Sequence, residues 1–155
     1  MALALLTALG ACTPAARPLT AVRVVGGQVT VLVATCTDFQ LDTVSLYTDN
    51  SGSTGPALGP QRRLVRTGTD VPDSLQIFEA PPSGWSVAEA VLTALTPKQL
   101  YGLGGYAQAK STVPIVFTAE DLAALGGDEV LVGRAPSSHE KVTEKKFRER
   151  AKKSC

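Results

Sequence analysis

Three cysteines, one histidine and a scatter of aspartates are the residues of this 155-residue chain from which chemistry could be built. Cys12, Cys36 and Cys155 form no CxxC pair and show no metal-ligand spacing. His139 lies in a polar C-terminal stretch without an orienting partner, which argues against histidine catalysis. HExxH, nucleophile-elbow and Walker motifs and Cys/His clusters do not occur. Gly102-x-Gly104-x-x-Ala107 matches a dinucleotide fingerprint on paper, but that motif must open a helix, and Tyr101 onward reads as strand. The glycines read more simply as strand irregularity or close sheet approach. Asp38, Asp42, Asp49, Asp70 and Asp73 could offer oxygen ligands to Ca²⁺, yet they lack EF-hand spacing, and turn and cap duty is expected of them. Arg62, Arg63 and Arg66 could hold an anionic wall polymer; solubilising an edge strand is the plainer reading. The expectation is a chain that is not an enzyme and carries no cofactor and no metal.

The elements that would position these residues are mainly β. Val22 to Val25 and Gln28 to Cys36 are β-branched runs separated by Gly26-Gly27, a pair suited to the positive φ angles of a two-residue hairpin. Val29, Val31 and Val33 fall on one face of the second arm, Thr30, Leu32 and Ala34 on the other, so this strand should be covered on both sides. Asp42 to Thr48, Gln61 to Thr67 and Ser74 to Ala80 read as further strands, the second of them at an edge. Trp85 is expected as a core or rim anchor. Ser86-Val87-Ala88-Glu89 matches a capping box, but Val87 to Leu95 is taken as strand. Tyr101 to Ala109 and Val113 to Phe117 close the set, with Pro114 marking an edge. Thr118 should cap a short helix near 119–125, with Leu122 and Leu125 facing inward and Gly126-Gly127 ending it, and Glu129 to Val132 is a last strand.

Charge divides the chain unevenly. From Ser137 onward seven Lys or Arg stand against three Glu, so the first 136 residues are net negative although the whole chain carries +1. A mildly acidic body gives no reason to bind nucleic acid. The last stretch holds only Val142, Phe147 and Ala151 as apolar residues and reads as a solvated polar tail.

Ala2 to Ala11 is an apolar run of signal-peptide length, too short to span a bilayer. It closes with Leu9-Gly10-Ala11-Cys12, which resembles the lipobox of bacterial lipoproteins. The resemblance implies acylation of Cys12 through its thiol, with 1–11 as signal peptide and 12–18 as a Pro- and Ala-rich tether. No Lys or Arg precedes the run, as expected if translation starts further upstream. Outside the cytoplasm Cys36 and Cys155 could pair; Cys36 as a buried free thiol is the alternative.

Leu95-x-Pro97-x-x-x-Tyr101 resembles the tyrosine corner of fibronectin type III and related immunoglobulin-like sandwiches, which implies that Pro97 turns the chain and the Tyr101 hydroxyl pins the corner. FTAEDLAALGGDEVLV, after a Tyr-led strand, is similar to the C-terminal pattern of small lipoproteins from GC-rich Gram-positive bacteria; that likeness implies location, not activity. The expected architecture is an immunoglobulin-like β-sandwich of about seven short strands over 19–133, followed by a basic polar tail over 134–155. The expected role is a non-catalytic binding module anchored by lipid on the extracytoplasmic face of the cell membrane. Its partner would be a protein or the cell wall, met at edge strands and at the loops Asp49 to Pro60 and Asp70 to Asp73. The alternatives are a small-molecule or metal-binding lipoprotein with a pocket near Trp85 and, less favoured, a hydrolase.

Overall fold

A computed structural model describes residues 15–51, 58–135 and 138–155. Its elements in chain order begin with β1 (Thr20–Val25), β2 (Gln28–Val33), β3 (Thr43–Asp49), β4 (Leu58–Arg66) and β5 (Ser74–Gln76). β6 (Trp85–Ala90), β7 (Tyr101–Ala107), β8 (Lys110–Ser111), β9 (Ile115–Phe117) and helix α1 (Ala119–Ala123) follow. β10 (Glu129–Arg134), β11 (Ser138–Thr143) and helix α2 (Glu144–Ser154) complete the described chain.

Gly26 and Gly27 take φ values of 57° and 81°. Two left-handed residues in succession make the tight turn that sets Val25 opposite Gln28 and folds β1 onto β2. That hairpin is the middle of one antiparallel sheet, ordered β11-β10-β1-β2-β5. The second antiparallel sheet runs β6-β4-β3-β7-β8, with β9 also paired to β7. The two sheets form a mainly β sandwich. Val22, Val31 and Val33 on one sheet and Val44, Leu46, Leu64, Leu103, Ile115 and Phe117 on the other belong to a single buried core. Eleven strands appear among the described residues rather than about seven. β5, β8 and β9 are two or three residues long, and β11 is too polar to show in a hydrophobic pattern.

The C-terminal stretch is not a solvated tail, and the folded unit does not end at 133. β11 pairs with β10 along its whole length, and α2 buries Phe147 and Ala151. Residues directly opposite in a ladder share a face, so Ala21, Leu32, Val130, Val132 and Val142 line the side of the first sheet away from β3 and β7. α2 lies over that side: Arg148 Nη1 donates to the Val33 carbonyl at 2.6 Å, and Arg150 forms two hydrogen bonds with Glu140 at 2.9 and 3.1 Å. The two apolar faces of β2 are thereby both covered. Three apolar residues at 142, 147 and 151 suffice because they fall on one side of a strand–helix unit.

Three other expectations need correction. β4 is not an edge strand; it lies between β3 and β6, and Arg62 and Arg66 tie down the chain that follows it rather than guard an edge. Arg62 Nε donates to the Ile77 carbonyl and Arg66 Nη1 to that of Thr69 at 2.9 Å. The strand expected over Val87 to Leu95 is Trp85–Ala90, held to β4, and the chain beyond Ala90 is irregular up to Leu100. α1 has its capping box at Thr118 and Asp121, and it ends at Ala123 with Ala124 as C-cap, before the glycines.

Candidate binding groove and the opposite disulfide end

The sandwich has two chemically different ends. At one, the Gly26-Gly27 turn stands beside α1. β10 pairs with β1 only at Ala21 and Val22, so from Arg23 onward the two strands diverge and the α1 segment occupies the gap. The result is a groove of about 430 Å³ lined chiefly by Arg23, Val24, Leu95, Leu122, Ala123 and Leu125. Val24 at its rim remains 43% exposed, a high value for valine in a strand. Because Val25 and Gln28 close the two-residue turn, the ladder turns the N–H and C=O of Val24 away from β2, on the side where β10 gives it no partner. The groove therefore offers apolar side chains together with main-chain donor and acceptor groups.

The other end carries Arg17, where the described chain begins its pairing, and the Cys36–Cys155 disulfide, with Cα atoms 5.3 Å apart. Arg17 Nη1 and Nη2 donate to the two Asp38 oxygens at 2.8 Å each, and Lys110 Nζ donates to the Asp38 carbonyl at 2.6 Å. The Arg17 hydrogen bonds pull the Asp38 carboxyl down to about 2. Asp42 accepts from the Thr43 hydroxyl at 2.9 Å and from the N–H of Gln108 at 3.0 Å; Gln108 itself holds a left-handed φ of 54°. Asp38, Asp42, Arg66 and Lys110 thus line a polar recess of about 240 Å³ with their charged groups already engaged. It is a knot that closes the loops, with little left over to hold a ligand.

The aspartates singled out from the sequence do not converge. Asp49 accepts from the N–H of Ser51 at 2.9 Å at the groove end, whereas Asp70 receives the Thr69 hydroxyl at 3.2 Å at the disulfide end. Among the described residues no group of three His, Cys, Asp or Glu side chains is placed to hold a metal ion. Trp85 is buried, and its indole N–H donates to the Asp70 carbonyl at 3.2 Å. Tyr101 is fully buried, with its hydroxyl accepting from the N–H of Thr96 at 2.7 Å, next to Pro97. Gly102 lies opposite Tyr47, whose ring atoms would stand 2.4 Å from an added Cβ, so this glycine serves close packing within a strand. Cys12 and the loop residues 52–57 lie outside the described residues. The loop 70–73 sits at the disulfide end, away from the groove.

His139 does have orienting partners, contrary to its sequence context. It sits on β11 with Nδ1 2.7 Å from the Val116 carbonyl and Nε2 3.8 Å from Asp121. A carbonyl can only accept, so Nδ1 carries the hydrogen. The nearby Thr118 hydroxyl donates to Asp121 at 2.8 Å and not to the imidazole. A relay needs the imidazole between hydroxyl and carboxylate; here the carboxylate is in the middle. Burial works against ionisation of Asp121, but the Thr118 hydrogen bonds and the charge of His139 outweigh it and lower its pKa. The cluster fixes α1 against β11. Only the fold could reveal it, since β11 is distant in sequence from β9 and α1, with β10 between them.

Compared with protein-family models, with curated proteins and with solved structures, the chain matches none. Among the described residues no helix is long and apolar enough to cross a membrane.

Proposed function

We propose that this chain is a lipid-anchored extracytoplasmic binding module that does no chemistry of its own, tethered through Cys12 and engaging a protein or cell-wall partner at the groove beside α1. The observation that carries the location is the Cys36–Cys155 disulfide, since such bonds persist outside the reducing cytoplasm. The groove supports the binding role. It lies at the far end of the sandwich from Arg17, so a tether reaching back to Cys12 would leave it open to partners. Apolar side chains beside the main-chain groups of Val24, which have no strand partner on that side among the described residues, suit an extended segment of a partner protein.

Thiol alkylation in cells tests the location. When whole cells are quenched with a maleimide before lysis, Cys36 and Cys155 should stay unlabelled until a reductant is added. Labelling of both without reductant would overturn the extracytoplasmic reading. For the binding role, a photoreactive residue in place of Val24 should give discrete cross-linked products on cells, while one in place of Val87, on the exposed β6 edge, should give none; identical products from both positions would count against the groove.

A further inference from the structure

The six basic residues of α2 sort by type. Both arginines reach into the fold: Arg148 bonds the Val33 carbonyl and lies 5.4 Å from the centre of the Phe147 ring, and Arg150 holds Glu140. Lys145, Lys146, Lys152 and Lys153 are all exposed, and among the described residues no hydrogen bond or ion pair involves any of their side chains. At 100° per residue, with Phe147 and Ala151 buried, these four positions fall on the opposite arc of the helix, which they share with Glu149.

This face is held in place rather than carried on a loose tail. Arg23 pairs with Glu144 at 3.0 Å where the helix starts, and Cys155 is bonded to Cys36 where it ends. From Lys145 to Lys153 the stripe is about 12 Å long. The first 136 residues are net negative, so a polyanion or an anionic surface meets the least repulsion here. The last two lysines also stand at the disulfide end, where the described chain begins.

We propose that the lysine face of α2 docks the domain on an anionic lipid surface, its ammonium groups meeting headgroup phosphates. The proposal deepens the lipid-anchored reading, which would bring the domain to the membrane, but the contact itself does not require the anchor. Docked this way, the first sheet faces the leaflet through α2, and the second sheet faces outward.

The test uses the full chain carrying Cys12→Ser, which cannot be acylated there, sedimented with phosphatidylcholine vesicles with or without about one-third phosphatidylglycerol. Binding is expected only to the anionic vesicles, falling steeply as salt rises from about 50 to about 200 mM. Joint Lys145→Gln, Lys146→Gln, Lys152→Gln and Lys153→Gln should weaken it roughly tenfold or more, while Lys98→Gln leaves it unchanged. Lys152→Glu with Lys153→Glu is a second variant confined to the last turn, with the same direction expected. Equal binding to neutral vesicles, equal binding by the lysine variants, or binding of soluble polyphosphate with none of vesicles overturns the proposal. The apolar residues 2–11 are common to every chain compared. Failure here leaves the anchor standing, and absence of an acyl group in cells leaves this result standing.

Discussion

The sulfur of Cys155, the last residue of the chain, is bonded to that of Cys36, 119 positions earlier, so the end of α2 is tied to the end of β2. Closing so long a loop removes much of the freedom of the unfolded chain. Replacing both cysteines, Cys36→Ala with Cys155→Ser, should lower unfolding stability by about 2–5 kcal/mol. Urea unfolding with and without reductant measures this: the wild-type midpoint should fall on reduction to that of the double variant. A midpoint indifferent to reductant would contradict it.

Phe147 tests whether the C-terminal unit belongs to the core. It is 1% exposed and sits over the outer side of the first sheet. Phe147→Ala should cost about 3–5 kcal/mol, whereas Lys146→Ala, on the exposed arc, should change stability by less than about 0.5 kcal/mol. Thermal melts of the two variants give the comparison, and equal melting would return residues 138–155 to the status of a tail.

Asp38 predicts an acid dependence at the disulfide end. Its folded pKa, about 2, lies below the ordinary aspartate value because Arg17 holds the charged form. A depressed folded pKa contributes stability above the ordinary value, near 4, and that contribution is lost as pH falls toward 2. Both side chains are solvent-accessible, so screening keeps the effect small. A carboxyl-carbon NMR titration should place the Asp38 midpoint near 2 and show it rising toward 4 in Arg17→Gln; an identical midpoint in both proteins would remove the Arg17 contribution.

Local pattern made some of this fold legible in advance. The Gly26-Gly27 hairpin, the two-sided burial of β2 and the Thr118 cap follow from rules that span a few residues. Three misreadings share a different cause. Arg62 and Arg63 suggested an edge because their charges are local, but β6, distant in sequence, covers β4. His139 gained its partners from β9 and α1, which no spacing in the chain records. The last nineteen residues carry three apolar side chains, too few for a periodic signal, yet they complete the core once the strand–helix turn places them on one side. The groove was invisible for the same reason: it exists because β1 and β10 part after Val22, and register between distant strands is not written in either one.

The measurement that bears most directly on the anchored reading is the mass of the N-terminal fragment of the mature protein, taken from membranes of cells expressing the gene with its upstream sequence. A diacylglyceryl-modified fragment beginning at Cys12, and its disappearance in Cys12→Ser, is the predicted result. An unmodified chain that retains Met1 and fractionates away from the membrane would contradict it.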